Sequence, residues 1–238
     1  MEEQTKEALT SPRELRVATW NIHDAKGTDG LRSLERIAHV LGQIKAAVVG
    51  LQEIGCGSDD CDVAHLAKQY GYHWAAVPTV GAKNACRGNA LLSKLPIEDV
   101  RIHDLSHKRR EPRAVLEAHL AWGPSRLRVM VTHLGLRAGE RRFQVSRLLG
   151  SFRLAVPATT ILLGDINEWW LWGRPLRWLH RQFGASPAVR TFPAWAPLLA
   201  LDRIWVHPQQ ALVQISALHT REWRGASDHL PVVATIRL

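Results

Sequence analysis

Ala47-Val48-Val49-Gly50-Leu51-Gln52-Glu53 sets five small or apolar residues ahead of an amide and a carboxylate. The run is too short for a helix and apolar on both faces, so it reads as a strand covered on either side. Thr159-Thr160-Ile161-Leu162-Leu163-Gly164-Asp165 repeats the arrangement, a buried strand that stops on an acid. Around these two runs the period of the apolar residues switches type. Leu15–His23 alternates as a strand, whereas Leu31, Leu34, Ile37, Ala38, Leu41 and Ile44 keep helical spacing and predict a helix over 30–45.

Further strands are expected at 72–80, 88–93, 98–105, 114–121, 127–133, 201–207, 212–218 and 231–238, with helices over 139–154 and 174–183. Strands outnumber helices by more than two to one, and no regular β–α–β alternation links them. That pattern predicts an α+β protein: two packed, mixed but mainly antiparallel sheets flanked by helices, a four-layer sandwich. We read one domain over 14–238 behind a flexible tail at 1–13, because no repeat, low-complexity tract or Ser/Gly linker interrupts the chain.

The chain has 238 residues, 46% of them hydrophobic, enough for a sizeable core. Its 31 Lys and Arg against 22 Asp and Glu leave a formal charge of +9, which favours polyanionic partners. No signal peptide and no run of the ~18 apolar residues needed to span a bilayer is visible. Three cysteines, Cys56, Cys61 and Cys86, form no paired framework, which points to a reducing, cytoplasmic setting. Cys56, Cys61 and His65 match no standard zinc spacing and read as ordinary loop and core residues.

Chemistry-bearing residues collect where strands stop. Thr-Trp-Asn-Ile-His (19–23), Leu-Gln-Glu (51–53), Thr-His-Leu (132–134), Gly-Asp-Ile-Asn (164–167) and Ser-Asp-His (227–229) each sit beside an apolar run. Carboxylates and amides suit hard cations such as Mg²⁺ or Mn²⁺. Any one of them alone reads equally as a turn or cap residue.

In order, TWNIH, LQE, EPRAVL, THL, GDIN, LDRIWV and SDHLPV resemble the endonuclease/exonuclease/phosphatase superfamily, from about Leu15 to the C-terminus. The resemblance implies the deoxyribonuclease I-like form of the sandwich and a metal-dependent phosphodiesterase, acting on nucleic acid or on a phospholipid or small diester. It implies that Asn21, Glu53 and Asp228 are the metal-side residues, with Glu53 the principal ligand. His133 would contact the scissile phosphate, and Asp165 and Asn167 would position the attacking water. Asp202 would orient His229, the general base or phosphate ligand. Arg113, in EPRAV, is a candidate guanidinium clamp on a phosphate oxygen beside Asn21, His133 and Asn167. The alternative for Arg113 is a salt bridge to Glu111 or Glu117. His23 stands where abasic-site nucleases carry an Asp, and the two tyrosines, Tyr70 and Tyr72, are not placed like the active-site tyrosine of those enzymes.

The segment Glu168-Trp169-Trp170-Leu171-Trp172-Gly173-Arg174-Pro175-Leu176-Arg177-Trp178 follows the GDIN motif. Its indoles either fill the core or meet substrate or a lipid headgroup layer. Arg137, Arg141, Arg142 and Arg147 form either a path for a polyanion or a solvated helix face. The expected partners are a phosphate-ester substrate and a peripheral membrane contact, for a monomer. The competing functions are a phosphomonoesterase of a phosphorylated metabolite or lipid, and a module that binds phosphorylated ligands without hydrolysing them.

Overall fold

Burial sorts the described residues, 14–57, 60–80, 86–123, 125–152 and 159–237 of a computed structural model, into two sheets with helices outside. The tail expected at 1–13 lies outside the described residues. The first sheet joins β1 (Glu14–Asn21), β2 (Val48–Gly55), β3 (His73–Val80), β4 (Arg87–Ser93), β10 (Leu212–Ala217) and β11 (Val232–Arg237), in the order β10-β11-β1-β2-β4-β3. The second joins β5 (Ile97–Asp104), β6 (Ala114–Trp122), β7 (Ser125–His133), β8 (Thr159–Asp165) and β9 (Asp202–His207) in sequential order. Only β1–β2 and β7–β8 run parallel; the other neighbours are antiparallel.

The inner faces meet through Val17, Val48, Leu91, Leu116, Val129, Val131, Leu163 and Ile204, all buried. The outer face of the first sheet carries Trp20, Leu51 and Ile54 against α1 (Leu34–Ile44) and α2 (Asp62–Tyr70), with Trp223 of α5 (Arg221–Ala226) in the same cluster. The outer face of the second sheet buries Met130, Leu162 and Trp205 under α3 (Ala138–Phe152) and α4 (Arg174–Phe183). These are the four layers of the deoxyribonuclease I-like sandwich, and they account for the strands that read as apolar on both faces.

All the expected strands form, with ends displaced by no more than two residues. Helix α1 begins later than its periodicity suggested, because Ser33 caps it by accepting a hydrogen bond from the Arg36 N–H at 3.3 Å. Helix α2 was not expected. Its apolar positions Val63, Leu66, Ala67 and Tyr70 do keep helical spacing, but over one short segment that Gly71 ends in the left-handed region.

Gly50 lies on the inner face of β2, and an added Cβ there would overlap Leu163 Cδ1 and press on Val131 Cγ1 at 3.1 Å. Gly50→Val is expected to destabilise the protein by ~1–3 kcal/mol through overpacking, read from denaturant unfolding midpoints. On the outer face of the second sheet Glu117 accepts hydrogen bonds from Arg128 (2.7 Å), His103 (2.8 Å) and His119 (2.9 Å). Burial works to raise its carboxyl, but the Arg128 and histidine contacts outweigh it and hold the group at about 2. The stabilisation from this depressed acid is complete above its ordinary value of 4.5 and lost as pH falls through about 2. Glu117→Gln should therefore be less stable than wild type at neutral pH, with the gap closing across that acid window in pH-dependent unfolding. A gap independent of pH would remove the linkage.

Candidate active site

Strand direction and register bring the chemistry to one end of the sandwich. The ends of parallel β1 and β2 carry Asn21 and Glu53. Parallel β7 and β8 end on paired residues, His133 opposite Asp165, and antiparallel β9 begins with Asp202 opposite Asp165. His133, Asp165 and Asp202 thus form one row across three strands. Arg113 precedes β6, whose Val115 faces Thr132, and the 227–231 turn enters β11 beside the end of β1. A cavity of about 450 Å³ at this end is lined by Asn21, Glu53, Arg113, His133, Asp165, Asn167, Asp228 and His229. Asp202, fully buried, stands directly behind His229. All nine residues singled out from the sequence therefore meet.

Two backbone features shape the floor. Gly164 holds φ at +146°, and a Cβ there would overlap the Thr132 carbonyl oxygen, so only glycine lets β8 lie this close to β7 before Asp165. Glu53 and Asn167 hold left-handed φ of 57° and 53°. Such strain in non-glycine residues persists only where surrounding contacts hold it.

The buried Asp165 carboxylate is the hub. Its Oδ2 accepts from Asn21 Nδ2 at 3.1 Å and faces His133 Nε2 at 3.5 Å and His229 Nε2 at 3.8 Å. Its Oδ1 accepts from the Asn167 N–H at 2.9 Å, while Asn167 Nδ2 donates to the Leu134 carbonyl at 2.9 Å. Asn21 Nδ2 also reaches Glu53 Oε1 at 3.2 Å, and its Oδ1 accepts from the His23 N–H at 3.0 Å. In that orientation the amide aligns two carboxylates and turns its own oxygen toward the chain.

The two histidines are driven apart in charge. Burial, reinforced by the Arg113 and His229 charges, lowers His133 to about 3 against a smaller opposing pull from Asp165. It is therefore neutral near pH 7, its Nδ1 accepting from Arg113 Nη1 at 3.2 Å and its proton on Nε2. Burial also works to lower His229, but Asp202, at 2.8 Å from Nδ1, and Asp165 overcome it and raise the group to about 10. His229 is then an imidazolium with its second N–H turned to the cavity, which fits a phosphate ligand better than a resting general base.

Arg113 pairs with Glu111 Oε1 at 3.3 Å, as its salt-bridge reading has it, and also lines the cavity. Glu117 is engaged elsewhere, as described above. Arg141 does not belong to a surface patch, because it is buried and paired with Glu168, whereas Arg137, Arg142 and Arg147 are exposed. Of the segment's indoles, Trp169, Trp170 and Trp172 are exposed and Trp178 packs against the core.

Asp165, Asp202 and His229 bring one donor atom each within 4.8 Å of one another, a spacing that suits a metal ion. Yet Asp202 Oδ2 and His229 Nδ1 are already engaged with each other, and Asp202 is fully buried behind His229. Among the carboxylates that line the cavity and reach solvent, Glu111 pairs with Arg113, and Glu53 and Asp228, 29% and 35% exposed, are the other two. With Asp165 beside them, this all-oxygen set fits a hard divalent cation.

Sequence reading missed the supports of the site. Thr191 donates from Oγ1 to Asp202 Oδ2 at 2.5 Å. Ser227 Oγ donates to the Asn21 carbonyl at 2.8 Å and accepts from the His229 N–H at 3.3 Å. The Trp20 indole donates to the His229 carbonyl at 2.9 Å. Ser227 and Trp20 sit inside motifs already quoted, whereas Thr191 lies in an irregular loop with no local signal.

A family model described as "Endonuclease/Exonuclease/phosphatase family" matches residues 18–229. The chain is 36% identical over 161 residues to the Escherichia coli K12 protein YbhP, an alignment that spans 63% of each protein. An endonuclease/exonuclease/phosphatase family protein from Bacteroides thetaiotaomicron superposes with a TM-score of 0.79 at 17% identity, over 96% of this chain and 99% of that one. A mannosyl-6-phosphatase, Bt3783, from the same organism superposes with a TM-score of 0.75 at 18% identity, over 92% and 98%. Fold, site row and family match agree, and the chain belongs to the endonuclease/exonuclease/phosphatase family of phosphate-ester hydrolases.

Proposed function

We propose that this protein is a divalent-metal-dependent hydrolase of phosphodiester bonds. The observation that carries the reading is His229, held between Asp202 and Asp165 on the wall of the cavity that also presents Glu53 and Asp228. Glu53 and Asp228 would hold Mg²⁺ or Mn²⁺, with Asn21 fixing the Glu53 carboxylate. The cation, when bound, neutralises phosphoryl oxygens and makes water easier to deprotonate. Asp165 and Asn167 orient the attacking water and take its proton at Asp165. Arg113 and the His229 imidazolium donate to the phosphoryl oxygens, where negative charge grows in the transition state. Neutral His133 adds its Nε2–H as a further donor; as the water oxygen bonds to phosphorus one ester P–O bond breaks, and its oxygen leaves as an alcohol after taking a proton from solvent.

A diester is favoured because Leu136 and Trp169 on one pair of loops, and Phe192 and Leu199 on another, give apolar surface beside the site. Two organic substituents on phosphorus have somewhere to lie. The likeness to the mannosyl-6-phosphatase supports a second reading, a phosphomonoesterase. Three cysteines, an odd number, fit a reducing, cytoplasmic setting, and we take the protein to be a monomer.

With Mg²⁺ or Mn²⁺, the purified protein should cleave bis(p-nitrophenyl) phosphate faster than p-nitrophenyl phosphate, and EDTA should abolish both. A preference for the monoester would transfer the assignment to the second reading. Glu53→Ala and His229→Ala are each expected to lower turnover by ~10²-fold or more while circular dichroism stays native. Undiminished turnover in both variants would take those residues out of the site.

A further inference from the structure

Large apolar side chains that a water-soluble surface normally avoids stand in solvent on three loops at the active end. Trp170, Leu171 and Trp172 are 55%, 48% and 68% exposed on the loop after β8. Leu136, 64% exposed, follows β7, and Trp195 and Leu198, both 69% exposed, precede β9. The pairing of His133, Asp165 and Asp202 puts all three loops at the same sheet end, the end where the cavity opens.

These residues are held in place by buried groups. Glu168 forms a two-pronged salt bridge with Arg141 at 3.1 and 3.2 Å, with both residues almost fully buried, and also accepts from the Trp170 N–H at 3.2 Å. The Arg141 guanidinium lies 5.0 Å from the Trp169 ring, and the Trp170 and Trp172 rings are 5.6 Å apart. Under the third loop, buried Arg203 donates to the Ala200 and Ser186 carbonyls at 3.2 and 3.4 Å. Two buried arginines thus fix loops whose outer residues are apolar.

Within these three segments the exposed charge has one sign. Arg137, Arg174 and Arg177 are exposed, and across 134–139, 166–183 and 184–201 the one carboxylate, Glu168, is consumed by Arg141. Indoles favour the headgroup depth of a bilayer, aliphatic side chains favour the acyl region beneath it, and arginines favour anionic headgroups. Single-stranded nucleic acid would use the indoles and arginines but gains no stacking from Leu136, Leu171 and Leu198. We infer that this rim is a docking surface for an anionic lipid bilayer and aims the catalytic cavity at the membrane. It follows, resting on the hydrolase reading, that the substrate is a phosphodiester presented at that lipid surface.

Co-sedimentation of the full chain with phosphatidylcholine vesicles, with and without phosphatidylglycerol, tests this. Binding is expected to the anionic vesicles and to weaken as salt screens the arginines. The triple variant Trp170→Ser, Leu171→Ser, Trp172→Ser should lower that binding by about tenfold or more and leave turnover of the soluble diester unchanged. Arg174→Glu with Arg177→Glu, a pair outside the apolar rim, should weaken binding to anionic vesicles only. Several outcomes would overturn the docking surface: no vesicle binding, equal binding to neutral vesicles, or equal binding by the triple variant. So would a rim-dependent dimer seen by light scattering, or rim-dependent binding of a single-stranded oligonucleotide without vesicle binding. Vesicle binding without turnover of the soluble diester would instead break the hydrolase reading and leave the docking surface standing.

Discussion

The carboxylate of Asp165 is removed from water, and the protein has to solvate it. A buried charge of this kind is tolerated only when donors and cations surround it. Here the donors are the Asn21 amide and the Asn167 N–H, and the neighbouring rings are His133 and His229. Those partners come from four places in the chain, so the requirement to satisfy one acid ties the two sheets together at one end. The backbone strain at Glu53 and Asn167 and the glycine at position 164 belong to the same constraint.

Opposite shifts on two histidines that flank one acid divide the labour of the site. Burial, helped by the neighbouring Arg113, makes a positive charge on His133 costly, while Asp202 behind His229 makes one favourable there. Separated protonation states of this kind let chemically identical side chains serve different roles at one pH. In the proposed reaction His229 would bring positive charge to an anionic substrate, and His133 would contribute a neutral donor. Asp202 and Arg113, the charged neighbours of the two rings, are themselves held by Thr191 and Glu111.

The rim follows another logic. The His133–Asp165–Asp202 row is set by strand register, whereas the apolar rim is carried on loops anchored from beneath by Arg141–Glu168 and by Arg203. Loops around a site built on strand ends can change what the site approaches without disturbing the site itself. In this protein the loops next to the Asp165 row are the ones with exposed indoles and leucines.

Apolar period and motif order sufficed to foresee the strands, the two packed sheets and the nine residues that line or back the cavity, because alternation is local and the site residues lie in short motifs at or near strand ends. Tertiary structure alone settled the rest. Helix α2 gains its stability from packing on the first sheet, so its short sequence signal was ambiguous. Thr191 reaches Asp202 only because an irregular loop folds back over β9. The same composition, Trp and Arg, gave a buried anchor at Arg141 and an exposed rim at Trp170 and Trp172. Composition counts residue types, but which of them face water depends on what the neighbouring loop and helix bury, and that is decided by contacts between segments far apart in the chain.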